Sequence, residues 1–151
     1  MEFDAMKLAK EAHKLQKYGD LYYEVHLSNV VSMVSKFTSS YNLSPYSHWD
    51  AINVAWLHDC LEDQPEYYNS IPNVPEHIHE AIVAISKQDK ETRSEYLKRC
   101  CENRLAHFVK ICDTMSNLEC SVMGRDSKRV SKYTKQLAKL IEYWENKYGT
   151  L

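Results

Sequence analysis

An all-α fold in one domain is predicted by three features of the sequence. Glycine and proline are scarce, at 3 and 4 of 151 residues, so the turns that many short strands need are missing. Apolar residues recur at three-and-four spacing in one segment after another. No segment sustains the alternation of a half-buried strand. Hydrophobic residues make up 44% of the chain, enough for a core, and 151 residues is the size of one ordinary domain. No repeat, low-complexity tract or linker divides residues 1–151.

The elements follow in order. Residues 3–18 predict a helix with Phe3, Met6, Leu8, Ala9, Ala12 and Leu15 on its apolar face, ended by Gly19-Asp20. Residues 21–26 form a short aromatic connector. Ser28 caps a second helix reaching about Tyr41, with Val30, Val31, Val34 and Phe37 inward. Residues 42–47 read as a loop, and a third helix runs from about Ser47 to Asp63. Pro65 stops it. Residues 64–74 are expected to be a loop with at most one helical turn. Pro75 suits the start of a fourth helix to about Ser86. Thr92 to Cys101 and Leu105 to about Cys120 give two more, the latter burying Phe108, Val109, Ile111, Cys112, Met115 and Leu118. Asp126 or Ser127 caps the last, to about Lys147, which buries Val130, Leu137, Leu140, Ile141 and Trp144.

Composition excludes several functions. The net charge of −2, from 19 basic and 21 acidic residues, supplies no basic field, so nucleic acid is not expected as the main partner. No apolar run is long enough to cross a membrane, and Met1-Glu2-Phe3-Asp4 does not read as a signal peptide. The five cysteines, at 60, 100, 101, 112 and 120, are odd in number and form no CxxC pair. They are expected to be reduced and mostly buried, in a cytoplasmic protein, and not to hold zinc or act as nucleophiles.

The chemistry concentrates in His58-Asp59-Cys60-Leu61-Glu62-Asp63. Two metal-ligand residue types stand side by side, followed by two carboxylates, beside apolar Trp56, Leu57 and Leu61. On an unbroken helix Glu62 lies one turn from His58, and Asp63 one turn from Asp59. Burying four such groups without partners would cost several kcal/mol or more, which points to a bound ion. A hydrolytic metal needs three or four protein ligands. His26 and Asp113 are the further candidates. Asp113 sits in the apolar run from Phe108 to Cys112 and needs a partner there, and Asn117 shares its helix face. Among cations that could meet a phosphate, Arg129 with Tyr133 one turn on is preferred, because Arg grips phosphate bidentately. Lys17, Lys87, Lys90 and Lys110 are further cations, most of them expected to line solvated faces. His13 reads as a core or supporting residue. His48, His77, His79 and His107 are placed at helix starts or exposed faces and left out.

Taken together, these residues resemble the HD-domain phosphohydrolases, and within them the hydrolase domain of the Rel/SpoT alarmone enzymes and the small alarmone hydrolases of the metazoan kind. Ala12-His13-Lys14-Leu15-Gln16 is similar to their AHxGQ and Tyr23-Glu24-Val25-His26 to their YxxH. His58 to Asp63 matches HDxxED. Val109-Lys110-Ile111-Cys112-Asp113 with Asn117 matches VKxxDxxxN, and Arg129 to Tyr133 resembles RVxxY.

The resemblance implies an HD helical bundle with one divalent ion, typically manganese, on His26, His58, Asp59 and Asp113. It implies Glu62 and Asp63 as catalytic carboxylates and a small-molecule nucleotide as substrate. Asn117, Arg129 and Tyr133 match the family's substrate-contacting or supporting positions; Lys17 and Lys87 as cations, and Tyr23 as an aromatic face, are further substrate-binding candidates from their own chemistry. The implied activity is removal of the 3′-pyrophosphate of guanosine tetra- or pentaphosphate, and some metazoan members also act on the 2′-phosphate of NADPH. The alternatives are an HD nucleotidase or phosphodiesterase on another nucleotide, such as a deoxynucleoside phosphate or NADPH, and a nucleotide-binding or protein-interaction module without turnover, against which the complete Glu62-Asp63 pair argues. Four departures stand out: Leu15 for glycine, Lys17-Tyr18 where an arginine is expected to stack on guanine, a connector one residue shorter, and Leu27 for proline. The metal and catalytic set is intact and the base-recognition set altered, with Tyr18 and Tyr23 as the aromatic faces at hand.

Overall fold

A computed structural model describes residues 2–149. The order is α1 (Ala5–Ala12), β1 (Lys17–Tyr18), β2 (Leu21–Tyr22), α2 (Tyr23–Phe37), α3 (Pro45–Leu57), α4 (Cys60–Asp63), α5 (Pro65–Asn69), α6 (Glu76–Ile85), α7 (Arg93–Cys100), α8 (Arg104–Met123) and α9 (Ser127–Tyr148). The fold is all-α, as predicted. Short polar side chains start α1, α3, α8 and α9 by accepting an amide of the first turn: Asp4, Ser44, Asn103 and Asp126. Thr92 and Glu95 form a reciprocal capping box on α7.

The core is built around α8, which packs against α2, α3, α6, α7 and α9. Every residue from Ala106 to Thr114 is buried, as in a helix enclosed on all sides. Polar side chains within that stretch must therefore be satisfied inside the protein, and two of them, Lys110 and Asp113, carry charge. His107 is among the buried residues, against the expectation of an exposed face, and its Nε2 donates to the Leu140 carbonyl of α9 at 2.8 Å. Cys60, Cys100, Cys101 and Cys112 are buried and Cys120 half-buried, all free.

Where the structure departs from the sequence reading, local hydrogen bonds explain it. The first helix stops at Ala12 because His13 turns its ring inward and donates from Nδ1 to Gln16 Oε1 at 2.7 Å. Leu15 is consequently 89% exposed instead of packed. Gly19-Asp20 is not a helix stop but the two-residue turn of the β1–β2 hairpin, with Gly19 at φ +60° as such a turn requires. The second helix begins at Tyr23, not Ser28, since the Gln16 carbonyl takes the Tyr23 amide at 3.1 Å and replaces a side-chain cap. His26 thus lies in the first turn of α2. The helix ends at Phe37, short of Tyr41. Ser44 and Pro45 start α3 earlier than expected, a capping residue followed by proline at the first position. The third helix is also broken: Asp59 adopts φ −99°, ψ −5°, and the stretch resumes as α4.

Candidate metal centre

His26 of α2, His58 at the end of α3 and Asp113 of α8 meet in the core, and all three are buried. Their ligand atoms lie within 4.8 Å of one another. Asp113 Oδ1 is 3.3 Å from His26 Nε2 and 3.5 Å from His58 Nε2. Asp59 Oδ2 stands at the same point, 3.0 Å from His58 Nε2 and 3.6 Å from His26 Nε2. The group His26, His58 and Asp113 can hold a metal ion.

The decisive feature is the orientation of His58. Its Nδ1 is 2.7 Å from the Ala55 carbonyl, which can only accept, so that nitrogen carries the hydrogen. Its Nε2 then presents a lone pair into the cluster. This atom is buried and has no hydrogen-bond partner. An acceptor nitrogen aimed at two carboxylates, with no donor to meet it, fits a cation between them. The residues present therefore suit a divalent ion of the kind that binds imidazole and carboxylate.

The two carboxylates attract a proton to the imidazoles as they would a cation between them. Burial opposes charge at His58 most strongly, yet Asp59 and Asp113 outweigh it and raise its pKa well above the ordinary value. His26 shifts the same way for the same reason. Burial alone would raise Asp113, but Lys110 and the two imidazoles hold it well below the carboxylate range. Asp59 is lowered too, burial again being outweighed by His58 and His26. The negative charge at the point where the four side chains converge thus comes from Asp59 and Asp113.

The surroundings hold the cluster in place. Asp113 Oδ2 accepts from Lys110 Nζ at 2.8 Å, and Oδ1 accepts from Asn117 Nδ2 at 2.8 Å. Asn117 is the partner expected from its spacing. Lys110 is the one not singled out, although Lys-x-x-Asp in an apolar helix is a legible pairing. Tyr23 donates to Asp59 Oδ2 at 2.6 Å and stacks on His13, with ring centroids 4.8 Å apart. Asp63 Oδ2 accepts from Gln16 Nε2 at 2.8 Å. Gln16 in turn accepts from the buried His13, so a chain of hydrogen bonds leads from the core out to the exposed Asp63. Glu62 Oε1 accepts from the Lys87 backbone amide. Protein packed around its carboxyl, with Asp59 and Asp63 nearby, raises the Glu62 pKa despite the Lys87 bond.

The remaining predicted residues are distributed differently. Arg129 reaches the cluster's edge, with Nη2 3.2 Å from Tyr18 Oη, and its guanidinium lies 5.7 Å from the Tyr133 ring. Asn117 uses both ends of its amide inside the protein, donating to Asp113 and accepting from Tyr18. Lys17 stacks its ammonium on Tyr22, 3.5 Å from the ring centroid. The Lys87 ammonium donates to the Gln88 carbonyl at 3.4 Å. Tyr18, considered for the base, has one face flat on His26 instead, with centroids 4.6 Å apart and planes at 5°.

A broad groove of about 1210 Å³ lies elsewhere, along α1, α3 and α5, and includes none of these site residues. It lacks converging metal-ligand groups, so the chemistry favours the cluster. No helix among the described residues is long and apolar enough to cross a membrane. Compared with protein-family models and with curated proteins, the chain matches none.

Proposed function

We propose that the chain is a metal-dependent phosphohydrolase of the HD type that acts on a small nucleotide, in the manner of a guanosine tetraphosphate 3′-pyrophosphohydrolase. The observation that carries this reading is the unpartnered Nε2 of His58, buried at the meeting point of His26, Asp59 and Asp113. The YxxH pattern supplies His26, HDxxED supplies His58 and Asp59, and VKxxDxxxN supplies Asp113. Asp59 completes the ligand set, and manganese is the ion expected from the resemblance. A divalent ion there supplies Lewis acidity, which acidifies water and polarises a phosphoryl oxygen.

The chain's own residues do the rest. Glu62 and Asp63 flank the ligands and orient the attacking water or carry its proton. Arg129 and Tyr133 meet the phosphates, with Lys17 and Lys87 as further cations at the rim. Water adds to phosphorus, the 3′-pyrophosphate departs, and the ribose oxygen it leaves takes up a proton. A small-molecule substrate accords with the net charge of −2, and a cytoplasmic setting with five free cysteines.

The test is a chromatographic screen of nucleotides with the manganese-loaded protein. Release of pyrophosphate from guanosine tetraphosphate is expected. No product from any nucleotide, with metal bound, overturns the reading. The altered connector gives a second expectation, that base discrimination is weak. Lys17 cannot stack as a planar guanidinium can, and Tyr18 is committed to His26. Comparing kcat/KM for guanosine tetraphosphate, its adenosine counterpart and NADPH checks this. A guanosine preference above ~10⁴-fold would reveal a dedicated base pocket.

A further inference from the structure

A histidine that binds metal usually donates its other ring N–H to an oxygen, which fixes the ring plane. His58 obeys this through Ala55. His26 does not: its Nδ1 is buried and has no hydrogen-bond partner. Tyr18 lies parallel to the imidazole at 4.6 Å and covers its face, while Tyr23 meets the ring edge-on at 5.4 Å.

The Tyr18 hydroxyl has a second task. It accepts from Arg129 Nη2 at 3.2 Å and donates to Asn117 Oδ1 at 2.5 Å. Asn117 Nδ2 donates onward to Asp113 Oδ1, the oxygen that faces both histidines. Every bond in this chain points the same way, from a guanidinium on α9 to a carboxylate on α8. Tyr18 is the central member, held by its pairing with Leu21 across the hairpin.

We propose that Tyr18 is a positioning residue with two separable parts: its ring sets the plane of His26 for the metal, and its hydroxyl ties Arg129, the phosphate-binding cation, to the ligand Asp113. This rests on the metal-dependent reading above. The ring serves the metal ligand rather than the base.

Manganese and inorganic pyrophosphate are the probes, both followed by titration calorimetry. Tyr18→Leu removes ring and hydroxyl, and manganese affinity is expected to fall ~10–100-fold, the usual effect of losing a group that orients a ligand. Tyr18→Phe keeps the ring, and its manganese affinity is expected to stay near that of the wild type. Pyrophosphate binding to the manganese-loaded Tyr18→Phe protein is expected to weaken about tenfold, as for loss of one hydrogen bond to a charged group. Arg129→Ala should weaken it as well, and the double variant by less than the two losses combined.

Wild-type manganese affinity in Tyr18→Leu overturns the proposal, as does a Tyr18→Phe loss equal to that of Tyr18→Leu. Additive losses of pyrophosphate affinity overturn the link to Arg129. If Tyr18→Leu does not fold, the near-isosteric Tyr18→Phe and the Arg129 cycle still decide the hydroxyl's part. The imidazole carbon resonances of His26 in manganese-free Tyr18→Phe decide the ring's part: unshifted signals are expected, and a reoriented ring overturns it. A wild-type chain that binds no manganese defeats the metal reading itself. One that binds manganese, while Tyr18→Leu binds it equally well, defeats only this inference.

Discussion

Replacing Asp113 with alanine is expected to strip the chain of its metal and to cost it about 3–5 kcal/mol of stability. The two effects have different causes. The first is loss of the carboxylate oxygen shared by His26 and His58. The second is that Lys110, buried in α8 with its Nζ 2.8 Å from Asp113, is left as an uncompensated charge. For a chain of this size each kcal/mol lowers Tm by about 2–4 °C, so a drop of ~10 °C is the scale to look for. Adding Lys110→Met to Asp113→Ala should recover much of the stability, because the stranded charge is gone, but none of the metal. Metal analysis and thermal melting of both variants check this. Unchanged metal content in Asp113→Ala would make the ligand assignment wrong, and a double variant no more stable than the single would show that Lys110 is not the source of the loss.

Glu62→Gln and Asp63→Asn are expected to retain the ion while hydrolysis slows by ~10²–10⁴-fold, the contribution of a positioned acid or base. Unlike Asp59 and Asp113, neither carboxylate pairs with His26 or His58 among the described residues. Both substitutions keep the shape and the existing bonds: an amide oxygen can still accept from the Lys87 backbone or from Gln16. What disappears is the ability to take a proton. Single-turnover rates on guanosine tetraphosphate, with metal content measured on the same samples, separate the two possibilities. Wild-type turnover in either variant removes that residue from the mechanism. Metal loss would instead mean that the carboxylate belongs to the ligand set.

Much of this was legible in the sequence because it depends on spacing. Asp113 and Asn117 are four apart in an apolar helix, and they do bond to each other. The pairing of His58 with Asp59 was legible as a metal-ligand dipeptide. What could not be read was the backbone around it. An unbroken helix to Asp63 was expected, and the interruption after Leu57 comes from His58 turning back onto Ala55, a bond no periodicity reveals. The hairpin was missed for a similar reason, since strands of two residues carry no alternation to detect. With it went the place of Tyr18, whose role depends on Asn117 and Arg129, residues remote in the chain. His107 reads as a surface residue by position but is buried by the packing of α9 over α8.

The origin of the ligands has one more consequence. His26 belongs to α2, His58 and Asp59 to the interruption after α3, and Asp113 to α8. An ion held by all of them is a cross-link between three segments distant in sequence, added to the packing and the polar contacts that already join them. Occupancy and folding then become one equilibrium: at a free ion concentration one hundred times the Kd, the folded chain gains about 2.7 kcal/mol over the unfolded one. A chelator should thus act on this protein as a mild denaturant. The loosening it causes should be read first in the amide hydrogen exchange of α2, α3 and α8, while the outer turns of α9 stay as they were.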